Sequence, residues 1–197
     1  MSVDRNPVDI ATLVAAAKEG DRRAFDEVVR ATSADTYALA FRLTANEEDA
    51  KDVVQEAYLR AYRGLDGFRG EASFTTWLYR ITANCASTVT AKRSRHRHDD
   101  LDDVDVADTR PEINPEVRAE GAALQERLSA ALASLPPRLR SVVVLRDVYD
   151  LPHEAIATEL GISEAAAKVR LHRARLRLRT ALFPTRGEHS EEDARAV

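Results

Sequence analysis

The sequence predicts an all-α protein built from two small helical units joined by an acidic tether. Three observations lead there. Apolar residues recur at helical spacing through most of the chain, strand-type alternation is nearly absent, and one aperiodic, proline-containing acidic stretch separates two periodic halves.

The elements follow in order. Ile10, Leu13, Val14 and Ala17 repeat at helix spacing until Gly20 and Asp21 interrupt them. Phe25, Val28 and Val29 begin a second stripe that continues to about Leu43. Asn46 is an N-cap, with Glu47, Glu48 and Asp49 suited to the positive end of the helix dipole. Ala50, Val53, Val54, Ala57 and Ala61 form the inner face of that third helix, which should stop near Gly64. The segment 68–72 reads as a loop, and Ser73 caps a long helix running to about Arg95 with Phe74, Trp77, Leu78, Ile81 and Cys85 inside.

From about Asp99 to Pro115 there is no period. Asp99, Asp100, Asp102, Asp103, Asp105 and Asp108 repel one another, and a flexible, extended linker is expected, holding no fixed angle between the units. Leu124, Leu128, Ala131 and Leu135 make the next inner stripe. Pro136 and Pro137 break it, and Pro137 suits the first position of a helix marked by Leu139, Val142 and Val143. A short helix covers His153 to Leu160, with Ala155 and Ile156 inward. Gly161 supplies a left-handed turn, and Ser163 caps a last helix reaching about Leu182. The polar tail from Pro184 is expected to be disordered. The chain therefore divides into 9–97, 98–116, 117–183 and 184–197.

Composition narrows the function classes. Across 197 residues, 44% are hydrophobic and 31% charged, which suits packed soluble cores. No run of about 18 apolar residues exists to span a bilayer. The start MSVDRNPVDIATL lacks a secretion signal, and a single cysteine forms no internal disulfide, so a cytoplasmic setting is expected. The net charge of −4 hides an asymmetry: Lys168, Arg170, Arg173, Arg175, Arg177 and Arg179 crowd the last helix.

Three constellations are candidates for function. The first is the helix-turn-helix at 153–182. Ala167, Leu171, Ala174 and Leu178 face inward, which leaves Lys168, Val169, His172 and Arg173 outward near a helix N-terminus, able to reach base edges in a major groove. Arg170 and Arg175 lie at the flanks, suited to phosphates. The second is the outer face of the third helix: Asp52, Gln55, Glu56, Leu59, Arg60 and Arg63. Judged from residue types alone, it is better read as a solvated face than as a docking surface. The third is the loop Phe68, Arg69, Gly70, Glu71, Ala72, Ser73 and the helix after it, from Phe74 through Arg80 and Asn84 to the basic string beginning Lys92, Arg93. Small polar groups, aromatics and cations there suit an unstacked single strand.

The strings DAKDVVQEAYLRAY at 49–62 and FRGEASFTTWLYRITAN at 68–84 resemble region 2 of the extracytoplasmic-function (ECF) sigma factors of bacterial RNA polymerase. LPPRLRSVVVLRDVYDLPHEAIATELGIS at 135–163, with KVRLHRAR at 168–175, resembles their region 4. The likeness runs from Ile10 to Leu182 and implies roles. Residues 9–97 would dock core polymerase through Asp52, Gln55, Glu56, Leu59, Arg60 and Arg63, reversing the solvated-face reading, and would capture the melted −10 strand with 68–74, Arg80, Asn84, Lys92 and Arg93. Residues 117–183 would read the duplex −35 element with Arg146, Ser163, Lys168, Val169, Arg170, His172, Arg173 and Arg175. The linker would thread polymerase channels. The resemblance implies no catalysis and no cofactor. It implies instead a stress or envelope response held in check by an anti-sigma factor. Two departures stand out: Ala165, Ala166 and Ala167 replace the usual glycine, threonine and valine, and His172 stands where relatives often carry an aromatic residue.

Two other classes compete. A one-component regulator would pair this helix-turn-helix with an N-terminal sensor and bind duplex DNA as a dimer. A metal enzyme would need His96, His98, Asp99 and Asp100 as ligands, a pattern cheaply met by chance. Cys85 sits on an apolar stripe and reads as a small core residue.

Overall fold

The computed structural model describes residues 9–99 and 119–183, with side chains placed over 9–93 and 124–183. Every regular element among them is helical. The order is α1 (Ile10–Lys18), α2 (Arg22–Thr44), α3 (Glu47–Gly64), a 3₁₀ turn (Leu65–Gly67), α4 (Phe74–Asp99), α5 (Ala119–Ser134), α6 (Pro137–Val143), a π-helical turn (Val144–Val148), α7 (His153–Leu160) and α8 (Glu164–Leu182). The linker and tail expectations fall on residues outside those described, as does part of the His96–Asp100 cluster.

Local chemistry sets the helix starts. Asp9, Asp21, Asn46 and Ser163 each sit in extended backbone and accept a hydrogen bond from a first-turn amide. The Asn46 carboxamide takes the Asp49 amide at 2.9 Å, and three acids occupy that first turn, as expected from the sequence. Pro137 opens α6 at its first turn, where a missing amide hydrogen costs nothing. Gly161 ends α7 at φ +61°, the left-handed conformation that glycine enters without strain.

In the N-terminal unit, α1 to α4 close on Val14, Phe25, Val28, Ala61, Leu65, Phe74 and Leu78. Within it the Tyr58 hydroxyl lies 2.7 Å from the Thr32 hydroxyl and 3.1 Å from that of Thr36, so two buried threonines are satisfied on α2. The second cluster is continuous between units: Leu39, Leu43, Ala83 and Ala86 join Leu132, Leu135, Leu139, Val142, Leu145, Ile156 and Leu171. Leu145 and Ile156 are fully buried.

Three sequence expectations need correction. Leu124 and Leu128 do not line an inner stripe: they are 59% and 41% exposed, because α5 packs only through its last turns at Ala131, Leu132 and Leu135. In α7 the inward pair is Ile156 and Ala157; Ala155 is half-buried, a shift of one position around the helix. α4 runs on to Asp99 rather than ending near Arg95. The two units also meet, which the sequence gives no sign of. α6 and α7 pack on α2 and α4, an arrangement held by the shared apolar cluster and by polar contacts that sequence periodicity does not reveal.

Candidate functional site

The first candidate surface is the outward side of α8. Ala167, Leu171 and Ala174 are buried at helical spacing, so Lys168, Val169, His172 and Arg173 are turned outward, as the sequence predicts. Val169 is 50% exposed, an apolar contact available to a base methyl. Lys168 pairs with Glu164 at 2.7 Å within the helix, while Arg170 is half-buried. The Ser163 hydroxyl accepts from the Ala166 amide at 3.1 Å, so it serves the cap.

Two arginines near α8 are held rather than free. Arg175 makes a two-pronged contact with Asp147 of the π-helical turn, Nε to Oδ2 at 2.9 Å and Nη2 to Oδ1 at 2.5 Å. That carboxylate holds the Arg175 guanidinium above its ordinary pKa. Arg146 donates to the Leu151 carbonyl at 3.0 Å and pairs with Asp150 at 3.2 Å, which steadies the turn leading into α7. The turn owes its shape to a widened helix: the Tyr149 amide reaches back to the Val144 carbonyl and Asp150 adopts φ +50°.

On α3, Asp52, Gln55, Leu59, Arg60 and Arg63 are exposed and Glu56 half-buried, forming one outer face. Beside it lies an open groove of about 380 Å³ lined by Arg22, Phe25, Asp26, Gln55, Tyr58, Leu59 and Tyr62. Sequence reasoning missed the aromatic part: Tyr62 is 46% exposed and meets the Phe25 ring edge-on at 5.0 Å between centroids. Arg60 donates from Nε to Glu56 at 2.6 Å and from Nη1 to Asn84 of α4 at 3.1 Å, joining this face to the next.

The third surface is the loop before α4 and the helix itself. Arg69, Gly70, Glu71, Ala72 and Ser73 are exposed, with Gly70 at φ +73°. Lys18 tethers the loop by donating to the Phe68 carbonyl at 2.8 Å. Ser73 caps α4 by accepting from the Thr76 amide. The Phe74 side chain is buried in a trio with Phe68 and Trp77, centroids 5.2–5.8 Å apart, so it anchors the loop from inside instead of facing a ligand. Lys92 and Arg93 are exposed, and Arg93 pairs with Asp49 at 2.8 Å. Cys85 is buried, and burial pushes its thiol pKa up, which suits a core residue.

The structure also makes contacts between the units that the sequence did not indicate. Arg80 Nε meets Glu159 of α7 at 2.8 Å. Tyr79 packs edge-on against Tyr149 at 4.7 Å, and Arg42 donates to the Tyr149 hydroxyl at 3.0 Å. Arg140, only 4% exposed, donates to the Thr44 carbonyl at 3.2 Å and to the Ala133 carbonyl at 3.1 Å. Nothing in residue type or spacing pairs partners 79 or 96 positions apart. No helix among the described residues is long and apolar enough to cross a membrane.

Comparison with known proteins matches residues 28–98 to sigma-70 region 2 and residues 125–178 to sigma-70, region 4. The ECF RNA polymerase sigma factor SigE of Mycolicibacterium smegmatis is 34% identical over 195 residues, covering 97% of this chain and 72% of that protein. Among solved structures, CnrH in complex with the cytosolic domain of CnrY is similar at a TM-score of 0.55 and 27% identity, over 87% of this chain and 95% of that one. The sigma factor RpoE of Bartonella quintana, in complex with the anti-sigma factor NepR, shares the fold at a TM-score of 0.62 and 23% identity, over 82% of this chain and 98% of that one.

Proposed function

The chain belongs to the ECF sigma factors of bacterial RNA polymerase, and on that premise we propose how its surfaces divide the work. As a sigma factor it binds core polymerase and directs it to promoters, and it is an initiation factor rather than an enzyme. The match over residues 28–98 sets aside a one-component regulator, whose N-terminal half would be a sensor.

Residues 9–97 form the polymerase-docking and −10 unit, 98–116 the linker, 117–183 the −35 unit and 184–197 a tail. The outer face of α3, Asp52, Gln55, Glu56, Leu59, Arg60 and Arg63, docks on core polymerase, with the neighbouring Tyr62 groove adding apolar contact. The 68–73 loop receives a flipped −10 base, and Arg80, Asn84, Lys92 and Arg93 along α4 follow the melted strand. Phe74 and Trp77 hold the loop in shape beneath. Lys168, Val169, His172 and Arg173 read base edges of the −35 element. Arg175 meets a phosphate in a geometry set by Asp147. The work takes place in the cytoplasm beside polymerase, and an anti-sigma factor restrains it until a stress or envelope signal arrives.

One observation carries this reading. Two turns of α8 set Lys168, Val169, His172 and Arg173 outward over a buried Ala167–Leu171–Ala174 seam, just after the Gly161–Ser163 turn. Runoff transcription tests it. Core polymerase with this chain gives a promoter-specific transcript from a genomic fragment library, and either component alone gives none. No transcript from any fragment would sink the reading.

A further inference from the structure

Asn84 stands one helical turn beyond Arg80 on α4, on the face that the proposed function gives to the melted strand. Its side chain is exposed, and Arg60 of α3 reaches it across 24 positions of sequence, donating from Nη1 to the Asn84 Oδ1 at 3.1 Å. Arg60 is itself held from the other side. Its Nε donates to Oε1 of Glu56, one turn back on α3, at 2.6 Å. Glu56, Arg60 and Asn84 thus form a relay of acid, cation and amide that crosses from the docking helix to the strand helix. The hydrogen bond from Glu56 also keeps the Arg60 pKa above its ordinary value, so the guanidinium stays charged.

The chemistry of these three groups fixes which way the amide points. A guanidinium carries only donors, whereas a carboxamide has an oxygen end that accepts and an amine end that donates. Arg60 can accept nothing, so the Asn84 oxygen must face it. The amine end is left over, and among the described residues it donates to no atom. An unconstrained asparagine can pair with adenine at both ends, oxygen to N6 and amine to N7. With its oxygen engaged by Arg60, Asn84 offers the strand its N–H donors. The group that fits them is an acceptor oxygen, carried by a backbone phosphate or by a base carbonyl.

We propose that Arg60 is a positioning residue for promoter recognition: held by Glu56, it fixes the Asn84 carboxamide with the amine toward the melted strand, where Asn84 binds an acceptor oxygen. The inference rests on the assignment of α4 to the melted strand. It gives Arg60 a task besides polymerase docking, exerted through Asn84 rather than by touching DNA.

The test uses the full-length chain bound to core polymerase. Because Arg60 lies on the docking face, core affinity is measured separately for each variant and the capture assay is run with core saturated. Each holoenzyme captures random single strands of about 20 nucleotides, longer than a single-strand groove spans, and both affinity and base enrichment are read. Asn84→Ala should weaken capture at least about threefold in the wild-type background and leave it unchanged in Arg60→Ala, the non-additivity expected of neighbours in one network. Arg60→Lys keeps a cationic donor and should restore most of the capture that Arg60→Ala loses. The exchange Glu56→Arg with Arg60→Glu keeps an ion pair on α3 but sets an acceptor beside Asn84, so the amide should turn over and present its oxygen. A loss spread evenly over all sequences then assigns the natural partner as a phosphate. A new preference for adenine or cytosine, whose amino groups donate, assigns it as a base carbonyl. Additive effects of Arg60→Ala and Asn84→Ala, an Asn84→Ala holoenzyme that captures as well as wild type, or an exchange variant indistinguishable from wild type overturns the proposal. Runoff transcription by the wild type reads the sigma assignment separately: absence of any transcript sinks that assignment, whereas additivity in the capture assay sinks only the task given to Arg60.

Discussion

Arg173 and Arg175 are two residues apart on one basic helix, yet the structure gives them different surroundings. Arg173 is exposed on the same face as Lys168 and His172. Arg175 is fixed from behind by both oxygens of Asp147, which spares it the entropy of being ordered on binding and aims it at one point. Arg173→Ala should cost about 1–3 kcal/mol of holoenzyme affinity for a promoter and flatten the preference at one −35 position. Arg175→Ala should weaken all promoters by a similar factor, and Asp147→Ala should reproduce part of that loss. Affinities measured on matched and mismatched −35 duplexes decide it. An equal loss on both duplexes for Arg173→Ala would remove its base-reading role. The departures at Ala165 to Ala167 acquire a physical reading here as well. Ala167 is fully buried against the neighbouring helices while Ala165 is exposed, so the triplet thins the outward face at the start of α8.

At the scale of elements, the α7–α8 turn decides whether α8 is presented at all. Gly161 lies at φ +61° with open space where a Cβ would stand, so Gly161→Ala meets no steric obstacle and pays only the left-handed backbone, about 1–2 kcal/mol. Ser163→Ala loses the cap on the Ala166 amide, about 1 kcal/mol. Urea unfolding of the full chain should show both losses with little change in slope. A Gly161→Ala chain as stable as wild type would mean that the turn tolerates another backbone path. The π-helical turn after α6 is the element that sequence pattern did not reveal. Periodicity at 100° per residue runs through Val142 to Leu145 without a break, and one extra residue in the turn is a tertiary accommodation that places Asp147 beside Arg175.

At the scale of the whole molecule, the two units share one buried cluster, and two tyrosines report on it. Burial raises the phenol pKa of both Tyr79 and Tyr149 above the ordinary value of about 10. Ionisation is disfavoured where the units pack, so the stability these two phenols contribute is full below pH 10 and is lost as the pH climbs through the raised values. Phenolate absorbance titrations of the wild type and of Tyr79→Phe and Tyr149→Phe should therefore assign to these two tyrosines ionisations above pH 10. Ionisation of either one at or below pH 10 would contradict their burial between the units. Arg140 makes the same point from the cationic side: burial lowers its pKa, and it is tolerated because two backbone carbonyls, one from each unit, accept from it.

The sequence by itself determined the helices and their caps, because these depend on spacing and on side chains within four residues of one another. Asn46, Pro137, Gly161 and Ser163 stand where local chemistry puts them. It also determined the family, through the order of the 49–84 and 135–175 strings, and the outward set on α8, because burying Ala167, Leu171 and Ala174 leaves no other choice. Tertiary structure alone decided what faces what between distant positions. Arg80 with Glu159, Arg42 and Tyr79 with Tyr149, and Arg140 with Thr44 are contacts whose free energy depends on a burial and an approach that no local pattern encodes. An exposed arginine and a paired one look the same in a string of letters; only the fold supplies the second charge.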